Sequence, residues 1–147
     1  MIWDNTLIFS TNQAVTADAA STNVLDLGKT GAPFGGSAIV RDLGVGNEVP
    51  ISVLVTETFN NLTSMNVKVD RSPDNATWTT VYQSGEVPLA NLVAGYQFKC
   101  PAELDLGVNA RYVRLYYDIT GTAPTTGKIT AGVVAARQTN SAMGVAI

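Results

Sequence analysis

Histidine is absent from the 147 residues. Without an imidazole there is no Ser–His–Asp or Cys–His catalytic set, none of the common zinc sites and no two-histidine iron centre. The usual side-chain switch near neutral pH is missing as well. Cysteine occurs once, at Cys100. An intrachain disulfide is therefore impossible, and folding in a reducing cytoplasm is the simple expectation. Charged residues make up 14% of the chain, against about 25% in an average domain. The nine Lys and Arg residues are scattered singly, and the net charge is −3. No basic cluster exists to bind nucleic acid or an anionic membrane surface. No apolar run approaches the ~20 residues that span a bilayer. Met1 to Asn5 carry neither the basic residue nor the apolar run of a signal peptide. Without a secretion signal, the sequons at Asn61 and Asn75 read as chance.

Motifs for bound cofactors are also lacking. There is no Walker A pattern, no dinucleotide fingerprint and no nucleophile elbow. Gly35, Gly36, Gly44 and Gly46 do not open a helix, so turns account for them. Asp70, Asp74, Glu86, Glu103, Asp105 and Asp118 are the carboxylates that a hydrolase pair would need, but sequence cannot set any two at a working separation. The stretch Asp70 to Asn75 lacks the spaced ligands and terminal Glu of a calcium loop. Cys100, with Lys99 as its one basic neighbour, is expected to be a small buried hydrophobe. The expectation is no catalytic residue, no cofactor and no metal.

What is present is a hydrophobic share of 46%, set out largely at period two. Residues 48–57 put Val49, Ile51, Val53 and Val55 on one face. Val67 and Val69 alternate with Lys68 and Asp70 in 65–71, and Ile129, Ala131 and Val133 share a face in 126–134. Runs 77–83 and 111–119 have the same character. Such alternation marks half-buried strands. Shorter strands are expected near 6–10, 22–27, 37–42 and 95–99. Ser72-Pro73-Asp74-Asn75 reads as a hairpin turn. Only 87–95 offers a helical turn. Many short strands joined by Gly, Pro and Asn turns predict an all-β fold, an antiparallel β-sandwich in a single domain. Its boundaries are read as 1–137, with an N-terminal arm, followed by an extended C-terminal arm over 138–147.

The strand from Arg111 to Asp118 is the most informative. Val113, Leu115 and Tyr117 share one face, and Tyr112, Arg114 and Tyr116 share the other. An arginine with tyrosines two residues to either side can stack on both rings. Tyr and Arg are enriched where proteins meet. Tyr112, Arg114 and Tyr116 are therefore candidate interface residues, with Trp3 of the terminal arm as a further anchor. An ordinary outer sheet face remains the plain alternative. Trp78 is expected in the core.

Four stretches in order, QAVTADAASTNVLDLG (13–28), SPDNATWTTVYQSGEVPLANLVAGYQF (72–98), ARYVRLYYDITGT (110–122) and TTGKITAGVV (125–134), resemble the capsid cement, or decoration, proteins of tailed phages, of the type found in the Bordetella short-tailed phage. The resemblance implies a jelly-roll-like sandwich on the outer capsid surface of the virion. There it would bridge neighbouring major capsid proteins and stabilise the expanded shell. A homo-oligomer, dimer or trimer, made in the host cytoplasm is expected, with no nucleic acid and no membrane as partner. The hairpin at 72–81 followed by ARYVRL also resembles galactose-binding, discoidin-like modules, which bind sugars through loops.

Overall fold

The computed structural model describes residues 2–39, 42–43, 48–104 and 107–137. Its regular elements are β1 (Trp3–Ala14), β2 (Ala19–Ala20), β3 (Leu25–Asp26), β4 (Val49–Glu57), β5 (Leu62–Ser72), β6 (Thr79–Gln83), β7 (Val87–Pro88), β8 (Glu103–Leu104), β9 (Tyr112–Gly121) and β10 (Lys128–Val134). A single 3-10 turn covers Leu89–Asn91, within the one stretch expected to turn helically. The pairings are antiparallel. One sheet has the order β1-β10-β4-β8. The other has β2-β9-β5-β6, with β3 also on β9 and β7 also on β5.

Alternation explains why these sheets face each other. Ile51, Val53 and Val55 of β4, with Ile129 and Ala131 of β10, line one inner face and are fully buried. Met65, Val67 and Val69 of β5, with Val113, Leu115 and Tyr117 of β9, line the opposing face and are equally buried. Together they form one hydrophobic cluster, the core of a β-sandwich. Val49, expected in the core, is only half-buried, because it sits at the sheet's end opposite Leu104.

Two of the crossings between the sheets lie side by side. β4 leads to β5 through 58–61, and β9 leads to β10 through 122–127. Since β4 pairs with β10 and β5 with β9, the two hairpin-like arms form one folded ribbon wrapped across the sandwich, as in a jelly roll. The Asn60 side chain ties the crossings: its Oδ1 accepts the N–H of Thr125 (2.8 Å) and Thr126 (3.1 Å). The Thr126 hydroxyl donates to the Thr58 carbonyl at 3.1 Å. Asn61, at φ 65°, takes the left-handed turn conformation that Asn tolerates better than most residues.

Open edges are partly covered. Residues 95–102 run beside β4, with the N–H of Val55 bonded to the Tyr96 carbonyl and that of Phe98 to the Val53 carbonyl, both at 2.9 Å. This replaces the strand expected at 95–99; only one isolated bridge, Leu54 to Gln97, is regular. The second half of β1 is closed by Asn23, whose N–H donates to the Phe9 carbonyl at 2.9 Å. Gln13 clamps the same segment, donating to the Ala20 carbonyl and accepting from the Thr22 N–H, both at 2.8 Å.

Other expectations change. The N-terminal stretch placed in an arm is β1, and Trp3 pairs with Val134. Backbone hydrogen bonding to β10 holds it there. No strand occurs at 37–39. There the Ile39 N–H closes on the Gly31 carbonyl at 3.0 Å and makes a loop. Cys100 is exposed, not buried. The chain bends between Phe98 and Ala102, where it bonds β4 again, and buries Pro101 instead. The arm expected at 138–147 lies outside the described residues.

Candidate functional site on the outer face of the large sheet

The face of the larger sheet that turns from the core is built by β5 and β9 in register. Asp70 stands opposite Arg114, Lys68 opposite Tyr116, and Asn66 opposite Asp118. Because side chains alternate, residues two apart on each strand share this surface. The three candidates Tyr112, Arg114 and Tyr116 all lie on it, half-buried. Trp3 is on the other sheet and does not join them.

Arg114 is the centre of the arrangement. Its guanidinium lies 4.1 Å from the ring centre of Trp78 and 5.5 Å from that of Tyr116. Its Nε donates to Asp70 at 3.2 Å. Asp70, 5% exposed, also accepts from the Thr80 hydroxyl at 2.8 Å. Tyr112 is not the second stacking partner expected from spacing. Arg111 takes that ring, 4.8 Å from its centre, while bonding Asp26 through Nε (2.7 Å) and Nη2 (2.6 Å). Trp78, expected in the core, is half-buried on this outer face. Its ring sits across β5 from β9, where the Arg114 side chain reaches it. The one sequence signal that pointed here was the ring-forming residues around Arg114; the fold exchanges one tyrosine for the tryptophan.

The remaining charges are also matched in place. Lys68 donates to Asp118 at 2.6 Å, and this bond, ahead of the simple attraction between charges, raises the ammonium's pKa above its ordinary value. Asn66 donates to Gln83 at 3.0 Å, and the Ser64 hydroxyl donates to Glu86. The result is a face rich in polar and aromatic atoms but nearly neutral at short range.

Of the other candidate carboxylates, Asp74 is engaged in structure. Asp74 closes the β5–β6 turn, accepting from the N–H of Thr77 (2.8 Å) and Ala76 (3.0 Å) and from the Ser72 hydroxyl (2.8 Å). Those bonds, the Thr77 one foremost, hold its carboxyl well below the usual carboxylate range. Asp105 lies outside the described residues. Among the described residues, no group of three or more Cys, Asp or Glu side chains could hold a metal ion. An open groove of about 450 Å³ at one end of this sheet is walled by residues including Lys29, Thr30, Pro73, Asn109 and Arg111, with no carboxylate among its described lining residues.

The chain is an antiparallel β-sandwich, and the most elaborate polar arrangement among its described residues is this internally neutralised sheet face. A family model described as Bbp16 matches residues 9–136, from the middle of β1 past the end of β10. The chain belongs to the Bbp16 family, whose name points to a Bordetella phage protein, in line with the resemblance carried by its sequence. No curated protein matches the chain. No helix among the described residues is long and apolar enough to cross a membrane.

Proposed function

We propose that the protein is a non-enzymatic structural component of a phage virion. It docks on the outer surface of the capsid, bridges neighbouring major capsid proteins and stabilises the expanded shell, as a dimer or trimer. The observation that carries this reading is the outer face of the large sheet. Its cations are already paired, Arg114 with Asp70, Lys68 with Asp118 and Arg111 with Asp26. Burying such a face against a protein partner strands no free charge, so the desolvation cost of docking is small. Trp, Tyr and Arg supply the contact area that dominates protein interfaces. Membership of a family with a phage name supports the location. The arginine over Trp78 covers a ring face that a sugar would need for stacking, which weighs against a carbohydrate-binding module.

The test is direct. Shells of the phage that encodes the protein are stripped of it and mixed with purified protein. Co-sedimentation, and density on the outer surface bridging capsid subunits, is the expected result. Protein that stays in the supernatant, or that lies inside the shell, refutes the proposal.

A further inference from the structure

We infer that the loop from Gly31 to Ile39 is a preformed apolar anchor, whose tip, Phe34, seats in an uncharged apolar pocket of the capsid shell. The inference rests on the proposed docking to the shell and adds the element that grips it. Phe34 is fully exposed, its ring making no use of the core. An exposed apolar side chain alone is ordinary. The construction beneath it is not.

Two backbone hydrogen bonds stitch the loop. Gly36 N–H donates to the Pro33 carbonyl at 2.9 Å, and Ile39 N–H to the Gly31 carbonyl at 3.0 Å. Gly35, at φ +73°, fills the position of a type II turn that requires a left-handed residue. A Cβ on Gly36 would approach Pro33 Cγ at 3.1 Å, so the turn is also close-packed on itself. Phe34 and Gly35 thus form the outer corner of a fixed turn. Fixing the tip beforehand lowers the ordering cost of binding.

The partner's chemistry follows from the loop's. Residues 30–39 contain no charged side chain, and Ile39 adds a second exposed apolar group. A pocket that receives such a tip must be apolar and uncharged. A lipid surface fits less well, since one ring without a basic cluster falls short of what membrane attachment needs. The protein's own groove at the root of the loop is bordered by Ile39 and Thr30, yet Phe34 is not among its walls. The ring points to something outside its own fold.

The test uses the full chain with Phe34→Ala, Phe34→Leu and Gly35→Ala, binding to stripped shells from the same phage. Phe34→Ala is expected to melt at the wild-type temperature and to bind about 30-fold more weakly, the loss typical of an interface anchor. Phe34→Leu should recover most of the affinity. Gly35→Ala, which strains the turn without filling space, should weaken binding with the ring still present. If wild type and Phe34→Ala bind shells equally, the anchor is wrong and the docking proposal stands. If wild type does not bind, the docking proposal fails and takes the anchor with it. If Phe34→Ala leaves shell binding intact but splits the oligomer, the ring serves a second copy of this chain, and the inference is overturned.

Discussion

Gly127 occupies the corner where the two sheet crossings meet, and replacing it by alanine probes the wrapped ribbon directly. Its φ is +129°, outside the range that side-chain-bearing residues adopt. A Cβ there would fall 2.2 Å from Phe59 Cδ1 and 2.4 Å from Cε1. Contacts this short cannot persist, so the ring must move. Phe59 is 3% exposed and part of the core cluster, so it has little room to do so. Backbone strain at such a position costs about 1–3 kcal/mol. Overpacking a filled core costs about 1–3 kcal/mol more. Gly127→Ala should therefore destabilise by roughly 2–6 kcal/mol, read by urea unfolding with tryptophan fluorescence. Phe59→Ala alone should cost about 3–5 kcal/mol through the cavity it leaves. In the double variant the new methyl group has space, so the overpacking part disappears while the strain remains. The two changes should then fall short of additivity by about 1–3 kcal/mol, as contacting residues do. Additive costs, within about 0.5 kcal/mol, would show that Phe59 and Gly127 do not meet, and the packed corner would be wrong.

Arg114→Ala should lower stability by about 1–3 kcal/mol, less than for a fully buried pair because the arginine is partly exposed, and Arg114→Lys should recover little since lysine cannot stack and fork in the same way; chemical denaturation measures both. The same change should shift Trp78 fluorescence in the native state. Tyr117→Phe removes a buried hydroxyl that shares a 2.8 Å hydrogen bond with Ser10 and should cost about 1 kcal/mol. Burial pushes the Tyr117 phenol well above its ordinary value, so its neutral form contributes stability that is complete below about pH 10, the unfolded value, and lost as pH rises towards the folded value; the alkaline limb of the stability profile should be shallower in Tyr117→Phe. Asp74 has the opposite sign. Its depressed pKa gives stability present above about pH 4 and lost as pH falls towards the folded value, so Asp74→Asn should flatten the acid limb, and Asp74→Ala should lower the melting temperature more than Asn does.

The long strands were legible in the sequence because each alternates cleanly and buries one face. Ile51, Val53, Val55, Val67, Val69, Val113, Leu115 and Ile129 are all buried as their spacing requires. β1 was legible only in its middle. Its register against β10 shifts between Trp3 and Ile8, between Ile8 and Ser10, and again before Gln13, so no single period runs through it. β7 and β8 have two residues each, and partners rather than propensity create them. The candidate face was half legible. Spacing placed Tyr112, Arg114 and Tyr116 together, but Trp78 reaches Arg114 only because β6 and β9 flank the same strand, a neighbourhood that the long separation in sequence conceals. Cys100 was misplaced because burial there depends on the bend between two stretches bonded to β4, which local pattern does not encode.

The central claim is that the protein strengthens a shell by bridging its subunits. A ligand that binds the assembled state and not the separated one stabilises assembly by its binding free energy. Few charges on the docking face are free, so the effect should survive salt, which screens exposed charges over about 8 Å at physiological ionic strength. Stripped shells are heated with and without added protein, at low and at high ionic strength, and the rupture temperature is recorded. The account predicts that added protein raises the rupture temperature, and by nearly the same amount in both salts. Shells that bind the protein yet rupture at the unprotected temperature would contradict it.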